Sequence, residues 1–471
     1  MLVFNGGFML LCLPISLIYN DGDWQAFLIS FLVSAAVGGI IWMLTRQAKR
    51  EELRKRDGYL IVTLGWIIMS LSGSLPYVFS SAIPFYADAF FETASGYTTT
   101  GASILNNIEE LPRGILFWRS LTQWIGGMGI IVLAVAILPL LGIGGMQLFV
   151  AESPGIAPDK IQPRIKATAG RLWLVYIVLT FSEMVLLMLG GMNFYEAINH
   201  SLTTMATGGF STKQDSVAFY DSAYIQYIII LFMFLAGTNF TITYFGLHGK
   251  LKRFWENDEF RFYFFIILGA SVITAATLYF YNGFPLEKSI RDSLFQVISV
   301  ITTTGYVTAD YTSWTPFLTV VFFVMMFVGG SAGSTAGGVK IIRHLILLKN
   351  MVLEFKRILH PSAVIPVRFN KMAVNQEVTF NVLAFIMTYI LIFAIGSVIM
   401  SAMGLDFLTA IGAVATSLGN IGPGIGNVGP VDNFANIPLY GKWFLTFLML
   451  IGRLELFTVL IIFTPYFWRS K

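Results

Sequence analysis

The feature that most constrains this chain is a series of ten apolar stretches, most of them about 20 residues long. A helix needs about 20 mostly apolar residues to cross the hydrocarbon core of a bilayer. The stretches lie near 4–19, 24–44, 58–80, 114–141, 172–191, 222–247, 262–282, 314–348, 378–403 and 439–467. Only 12% of the residues are charged, which is about half of what a soluble domain carries. The sequence therefore predicts an all-α polytopic membrane protein, and it excludes a soluble enzyme, a disordered chain and a nucleic-acid-binding protein.

The basic residues predict how the chain crosses the membrane. Twenty-three of the 30 Lys and Arg residues follow even-numbered stretches. Because Lys and Arg collect in cytoplasmic loops, we expect both termini to be cytoplasmic. Two of the basic segments, 145–171 and 340–376, are either docking surfaces for a soluble partner or ordinary solvated loops.

Four shorter apolar stretches each precede a segment rich in Thr, Asn and Gly. The short stretches lie near 87–98, 195–205, 289–301 and 407–417, and the glycines that follow them are Gly101, Gly208, Gly305 and Gly422. The pattern predicts four pseudo-symmetric repeats of span, short helix, loop and span around a central ion pathway, with two extra N-terminal spans. The expected boundaries are 1–57 for the extra helices and 58–171, 172–261, 262–376 and 377–471 for the repeats.

Acidic residues indicate where the four short helices begin. Asp88, Glu196, Asp292 and Asp406 lie 12 to 16 residues before the repeat glycines. Carboxylates are favourable at a helix N-terminus, which carries a partial positive charge. We therefore expect each acid to mark the first turn of its helix.

The Thr/Gly segments have the chemistry of a cation site. Non-helical backbone is tolerated at membrane depth only where it is buried in protein or lines an aqueous cavity, and a ring of backbone carbonyls can replace the hydration shell of a cation. The alternative is that each segment is an ordinary turn at the outer surface. The candidate ligands are Thr99, Thr100, Gly101, Ala206, Thr207, Gly208, Thr303, Thr304, Gly305, Asn420, Ile421 and Gly422.

A second glycine-rich segment interrupts the eighth apolar stretch. Five glycines fall within residues 329–338, and at about 1 kcal/mol each relative to Ala they disfavour a helix. The segment is either an unwound loop below the Thr/Gly segments or a site of close helix packing. Arg453 lies ten residues or more inside the tenth stretch, where it would face the pathway or form a structural ion pair. The candidate gate residues are Gly329, Gly330, Gly333, Gly337, Gly338, Lys340 and Arg453, although Lys340 would serve equally as a cytoplasmic anchor.

Several other polar residues lie within apolar stretches. For Glu183 we expect a structural hydrogen bond in preference to an ion site. Arg119 and Gln123 are expected to brace a short helix, and His200 is interpreted as a hydrogen-bonded core residue.

Together these residues resemble the Trk/Ktr/HKT superfamily of potassium-transport proteins, and most closely its Trk-type membrane subunits. The segments that carry the resemblance are Thr98–Ser103, Gln123–Gly129, Ala206–Thr212, Thr302–Thr308, Gly329–Lys340, Asn420–Gly424 and Gly452–Glu455. The resemblance implies K⁺ as the transported ion, a homodimer in the lipid bilayer of the bacterial inner membrane, and a cytosolic nucleotide-binding regulatory subunit. Gly101 favours K⁺ because family members with Ser there tend to pass Na⁺.

The functional prediction is potassium uptake through a selective, channel-like pore. The alternative is a symporter in which Na⁺ or H⁺ drives K⁺. An intramembrane enzyme is disfavoured because the chain lacks an HExxH motif and paired catalytic aspartates in neighbouring spans, and a passive scaffold would not need four Thr/Gly segments. No nucleotide-binding motif is present in the sequence, so regulation by nucleotide would require the partner.

Overall fold

The computed structural model describes residues 1–46, 54–132 and 161–469, and the following bounds refer to these residues. The helices are α1 Leu2–Met9, α2 Leu13–Tyr19, α3 Trp24–Thr45, α4 Lys55–Gly73, α5 Leu75–Phe79, α6 Tyr86–Tyr97, α7 Arg113–Val132, α8 Ile161–Leu189, α9 Phe194–Met205, α10 Ala223–Ala236, α11 Phe240–Leu247, α12 Lys252–Glu256, α13 Asp258–Phe280, α14 Leu286–Ile301, α15 Pro316–Met325, α16 Ile341–Leu359, α17 Gln376–Ala402, α18 Phe407–Gly419, α19 Leu439–Arg453, α20 Phe457–Leu460 and α21 Pro465–Arg469. Short 3₁₀ turns cover Leu10–Cys12, Ile108–Glu110, Ser216–Phe219 and Ile461–Phe463.

Eight of the ten predicted spans correspond to helices that are long and apolar enough to cross a membrane. Within the described ranges, six such spans are unbroken: Leu2–Tyr19, Trp24–Thr45, Arg56–Phe79, Thr168–Leu189, Asp258–Phe280 and Gln376–Ala402. Two more are bent pairs, α10 with α11 at 115° and α19 with α20 and the following 3₁₀ turn at 111°. The prediction of a helical, multi-span membrane protein is confirmed.

The two remaining predicted spans differ from the expectation in different ways. The eighth is divided into the ten-residue helix α15, an irregular segment over 326–340, and helix α16. The fourth is described only up to Val132, and its predicted end at 133–141 lies outside the described residues, as do residues 145–160 of the first predicted docking segment. The second docking segment, 340–376, contains α16 and a small hairpin.

The four predicted short helices are α6, α9, α14 and α18, each packed between the long helices of its own part of the chain. Asp88 and Glu196 lie in the first turns of α6 and α9, and the Asp406 side chain caps α18 by accepting a hydrogen bond from the Thr409 amide. These three start signals lie where the sequence predicts them.

The predicted start of the third short helix is wrong. Helix α14 begins at Leu286, directly after Pro285, and the acid in its first turn is Glu287. Proline fixes the backbone in a conformation that suits the start of a helix, so the helix begins earlier than the acid pattern indicated. Asp292 therefore lies inside the helix and is buried.

The one β-hairpin in the described part of the chain lies between α16 and α17. Arg368–Phe369 pairs antiparallel with Met372–Ala373, with Arg368 opposite Ala373. Phe369 packs with residues of α16 and α17, including Leu345 and Val378, in a small core. The hairpin therefore fixes α16 against α17.

Candidate functional site

Each short helix ends in the same turn, which we name by its four residues. Loop 1 is 98–101, loop 2 is 206–209, loop 3 is 302–305 and loop 4 is 419–422. In each loop the second residue is left-handed, with φ of 51° at Thr99, 53° at Thr207, 57° at Thr303 and 54° at Asn420. The amide of the third residue bonds back to the carbonyl five residues earlier, as in Thr100 to Ser95 at 2.9 Å. This is the Schellman ending of a helix.

The residues that adopt the left-handed turn are unusual. A Schellman ending normally uses glycine, because a side chain strains a left-handed residue. Three of the four positions are instead Thr, a β-branched residue for which a positive φ is rare. Strained backbone of this kind persists only where the surrounding structure enforces it, which marks the loops as a functional site.

The structure shifts the register of loop 2 by one residue. The fourth residue of each loop is a glycine with positive φ, at 80° for Gly101, 78° for Gly305 and 98° for Gly422. In loop 2 this residue is Gly209, with φ of 74°, whereas Gly208 has no left-handed φ. The predicted equivalence of Gly208 with the other three glycines is therefore wrong. Two adjacent glycines fit the sequence pattern equally well, and only the backbone distinguishes them.

The four loops contact one another in a closed cycle. A Cβ atom on Gly101 would lie 2.2 Å from the Gly208 carbonyl oxygen, and one on Gly209 would lie 2.0 Å from that of Thr304. The cycle continues from Gly305 to the Ile421 carbonyl at 2.0 Å and closes from Gly422 to the Thr100 carbonyl at 2.8 Å. In every case a glycine packs against the third residue of the next loop. Any side chain there would displace a neighbouring carbonyl.

The four loop glycines also face a common space. Gly101, Gly209, Gly305 and Gly422 all line one cavity of about 80 Å³. Charged side chains lie around the same cavity, among them Lys213 and Asp432. The four loops therefore meet at one opening rather than at separate surface turns.

Side chains inside three of the short helices hold the chain that leaves each loop. The residue seven positions before the left-handed turn is Glu92, His200 or Gln296. Glu92 accepts hydrogen bonds from the Ser103 hydroxyl and the Ile104 amide at 3.0 Å. His200 contacts the Ser211 hydroxyl at 3.0 Å, and Gln296 donates to Thr308 at 3.2 Å. The interpretation of His200 as a bonded core residue is confirmed.

Arg119 and Gln123, on α7, brace loops rather than a helix alone. Arg119 forms a buried ion pair with Glu92 at 2.7 Å and donates to the Ser211 carbonyl at 2.9 Å, so it joins the exits of loops 1 and 2. Gln123 donates to the Gly208 carbonyl at 2.6 Å. The sequence did not indicate Glu92, although a carboxylate within an apolar helix is a signal that could have done so.

The glycine-rich segment 329–338 is an unwound loop, as the sequence predicts. Close backbone approaches require its glycines, since a Cβ on Gly330 would lie 2.7 Å from the Ala336 Cβ and 2.9 Å from the Gly237 carbonyl oxygen. Gly333 and Gly338 have positive φ, and a Cβ on Gly329 would lie 2.4 Å from the Gly337 carbonyl oxygen. Packing is therefore close, but it is the packing of an irregular loop rather than of helices.

This segment lies directly against loop 3 and loop 2. The Gly337 amide donates to the Thr303 hydroxyl at 2.6 Å, and the Thr335 hydroxyl donates to the Met205 carbonyl at 2.9 Å. A Cβ on Gly337 would also lie 2.7 Å from the Asn420 Cβ in loop 4. The segment is therefore placed beneath three of the four loops, on the side of their left-handed residues.

Arg453 contacts the same segment. Its guanidinium is 2% exposed and donates to the Thr335 carbonyl at 2.7 Å and the Gly126 carbonyl at 3.3 Å. Among the described residues no carboxylate pairs with it. Arg453 therefore does not form the structural ion pair that was the alternative expectation with any of these residues.

Lys340 and Glu455 lie at the end of the segment that leads into α16. The Lys340 ammonium donates to the Ala336 carbonyl within the segment, so Lys340 is a loop residue as well as the residue that precedes α16. Glu455 forms an ion pair with Arg343 in the first turn of α16. Glu455 therefore pairs with Arg343 and not with Arg453.

Two helix breaks at this level were not predicted. Gly237–Asn239 separates α10 from α11, and the Ser331 amide donates to the Gly237 carbonyl at 2.9 Å. Leu454–Leu456 separates α19 from α20, with positive φ at Glu455 and Leu456. The sequence signals were a glycine and an asparagine at the first break and two charged residues near the second. The residues on both sides of each break remain apolar, so hydropathy does not reveal the breaks.

Glu183 lies in the middle of α8 and is fully buried. Neither carboxylate oxygen has a hydrogen-bond partner in the described part of the chain, although Thr204 lies beside it. The structural hydrogen bond expected for Glu183, for which Thr204 is the neighbouring donor, stays a prediction. Groups of three or more His, Cys, Asp or Glu that could bind a metal are also absent from the described residues.

The fold and the four converging loops define a multi-span membrane transport protein with re-entrant segments. Residues 23–470 match a family model described as cation transport protein, TrkH. The chain is 43% identical to the Trk system potassium uptake protein TrkH of Salmonella typhimurium over 474 residues, covering 100% of this chain and 98% of the relative. It is 40% identical to the protein of the same name from Halomonas elongata, covering 97% and 95%.

A crystal structure of the potassium transporter TrkH from Vibrio parahaemolyticus has the same fold. The TM-score is 0.91 at 39% identity, and the alignment covers 99% of this chain and 97% of that one. The chain belongs to the TrkH cation transport family. The predicted resemblance is confirmed, and so is the prediction of a transport protein rather than an enzyme.

Proposed function

We propose that this chain takes up potassium through a selective, channel-like pore formed by four repeats of span, short helix, loop and span, preceded by two further spans. The expected repeat boundaries are 58–171, 172–261, 262–376 and 377–471, with 1–57 outside them. The observation that carries the proposal is the closed cycle in which each loop glycine packs against the carbonyl of the next loop. The names of the similar proteins, which specify potassium uptake, support the choice of ion.

The loops are proposed to form the selectivity filter. Four helix C-termini converge there, and their partial negative charge favours a cation. Backbone carbonyls of Thr99, Thr100, Thr303 and Thr304 and their counterparts would replace the water around K⁺. With the register of the structure, the counterparts are Thr207 and Gly208 in loop 2 and Asn420 and Ile421 in loop 4; Ala206 precedes the left-handed turn.

The segment 329–338 and Arg453 are proposed to form the gate. The segment lies beneath loops 2, 3 and 4, and the guanidinium adds a fixed positive charge at that level. A buried cation beside a cation pathway raises the barrier to conduction. The hydrogen bond from Arg453 to the Thr335 carbonyl would hold the segment in the closed position.

The membrane, the orientation and the partners proposed for the pore are inferred from the family resemblance and the charge pattern. The bacterial relatives and the distribution of Lys and Arg support an inner-membrane protein with cytoplasmic termini. The family implies a homodimer and a cytosolic nucleotide-binding regulatory subunit. Such a subunit would supply the nucleotide response, because the sequence contains no nucleotide-binding motif.

Flux into proteoliposomes tests the proposal. The purified chain should conduct K⁺ and Rb⁺ well above Na⁺ and Li⁺, driven by a K⁺ gradient alone. Equal permeation of the four ions would contradict a selective filter. Loss of K⁺ flux whenever Na⁺ and proton gradients are removed would support the symporter instead. Glu183, whose carboxylate has no hydrogen-bond partner within the described part of the chain, is the residue at which H⁺ coupling should then be sought, with Glu183→Gln abolishing it.

A further inference from the structure

Gln123 holds loop 2 with both ends of its amide. The side chain is fully buried on α7. Its Nε2 donates to the Gly208 carbonyl at 2.6 Å, and its Oε1 accepts from the Phe210 amide at 3.1 Å. The two bonds lie on either side of Gly209. The amide therefore fixes the direction of the Gly208 carbonyl, which is the one that packs against Gly101.

Loop 2 lacks the internal support that loops 1 and 3 possess. In those loops the third residue is Thr100 or Thr304, and its hydroxyl bonds to the hydroxyl of Thr98 or Thr302 at 2.8 Å. The equivalent residues in loop 2 are Ala206 and Gly208, which have no hydroxyl groups.

Gln123 occupies the space where the missing side chain would be. A Cβ on Gly208 would lie 2.3 Å from the Gln123 Cδ, and the three nearest atoms all belong to Gln123. The φ of Gly208 is outside the left-handed region, so the backbone itself would accept a side chain. The amide of Gln123 therefore occupies the place that a side chain at this position would need.

We propose that Gln123 is a positioning residue for ion selectivity, supplying to loop 2 from the neighbouring helix the polar support that loops 1 and 3 obtain from their own Thr pairs. Gln123 and Gly208 then form one unit in which each residue requires the other. The inference rests on the proposed function. It identifies Gln123, which lies outside the loops, as the residue that fixes loop 2 of the filter.

A double-mutant cycle tests this coupling. The variants are Gln123→Ala, Gly208→Thr and the two combined, with the K⁺ to Na⁺ flux ratio measured in proteoliposomes. Each single change should lower the ratio about tenfold, the effect of losing a buried hydrogen bond. In the combination the Gln123 amide no longer conflicts with the Thr side chain, so the ratio should lie within about threefold of that of Gln123→Ala alone, because coupled residues are not additive. A double variant whose ratio falls about a hundredfold, as two independent tenfold losses would give, would overturn the proposal.

Two further variants separate positioning from space filling. Gln123→Met keeps the volume and removes the donor, so it should also lower the ratio; an unchanged ratio would overturn the role of the hydrogen bond. Gln226→Met changes another buried glutamine, which bonds to Tyr220 and Arg291 away from the loops, and should leave the ratio unchanged. The flux ratio does not depend on how much protein folds. If Gly208→Thr does not fold, recovery of folded protein by the added Gln123→Ala counts in favour.

The wild-type ratio separates this inference from the proposed function. If the wild type does not discriminate K⁺ from Na⁺, the proposed function fails and the inference fails with it. If the wild type is selective and the cycle is additive, only the inference fails.

Discussion

At the scale of single residues, the loop glycines are required for two separate reasons. Their positive φ is a conformation that other residues adopt only with strain. In addition, the position of the missing Cβ lies within 2.8 Å of a carbonyl oxygen of the next loop in all four cases. Strain alone would reduce stability, whereas displacement of a carbonyl changes the site itself.

Gly101→Ser should therefore reduce selectivity as well as stability. We expect the K⁺ to Na⁺ flux ratio to fall at least about tenfold, or ~1.4 kcal/mol, because the Ser Cβ displaces the Gly208 carbonyl. Gly22→Ser is the matched control, since Gly22 has φ of 78° against 80° at Gly101 but no atom within 4 Å of its missing Cβ. An equal ratio in both variants would remove loop 1 from the filter.

Arg453 is the residue of the proposed gate that bonds to the segment 329–338 from another helix. Its replacement by Ala leaves the Thr335 and Gly126 carbonyls without their donor, a loss of about 1–3 kcal/mol, and removes the buried charge. We expect K⁺ flux in the absence of any partner to rise roughly tenfold. Arg291→Ala, in the N-terminal part of α14 where Arg291 pairs with Glu287, should leave the flux unchanged. A flux in Arg453→Ala equal to that of the wild type would exclude Arg453 from the gate.

At the scale of elements, the unwound segment 329–338 fits only because its glycines have no side chains. Gly330→Ala places a methyl group 2.7 Å from the Ala336 Cβ and 2.9 Å from the Gly237 carbonyl. Overpacking of this kind costs about 1–3 kcal/mol, so the closed position should be destabilised and partner-free flux should rise. Gly39→Ala, in open space on α3, is the control. Reduced flux in Gly330→Ala would mean that the segment supports the open pore instead.

Hydropathy and glycine placement were enough to predict the elements but not how they join. The short helices α6, α9 and α18 begin within one residue of their predicted starts, because apolar runs, acids and Thr/Gly endings agree there. The start of α14 was missed because a proline outweighed the acid at Asp292. The breaks at Gly237–Asn239 and Leu454–Leu456 were missed because their flanks remain apolar.

The bracing of the loops and the register of loop 2 could not be predicted from the sequence, because both depend on contacts between residues far apart in the chain. The clamp of Gln123 on Gly208 joins residues 85 positions apart, and the pair of Arg119 with Glu92 joins residues 27 apart. The one-residue shift in loop 2 depends on such contacts, since both Gly208 and Gly209 satisfy the pattern. Residue type and spacing identified the loops; packing determines which glycine takes the left-handed position.

At the scale of the whole molecule, the charge pattern predicts which face is cytoplasmic. In a Cys12→Ser background, Val364→Cys should react with a membrane-impermeant maleimide only from the cytoplasmic side, because 340–376 follows an even-numbered span. Val431→Cys, in the loop before α19, should react only from outside. Both side chains are well exposed, at 94% and 70%. Reaction from the opposite sides would invert the predicted orientation.

The position of a bound ion distinguishes a single filter built from all four loops from any other ion pathway. Crystals grown in Rb⁺, which substitutes for K⁺ and scatters anomalously, should show density enclosed by all four loops, near the carbonyls of Thr100, Gly208, Thr304 and Ile421. Density at this point would place the ion where the cycle of glycines and carbonyls predicts it. Ordered Rb⁺ elsewhere in the membrane region, with none between the four loops, would contradict a single filter built from them.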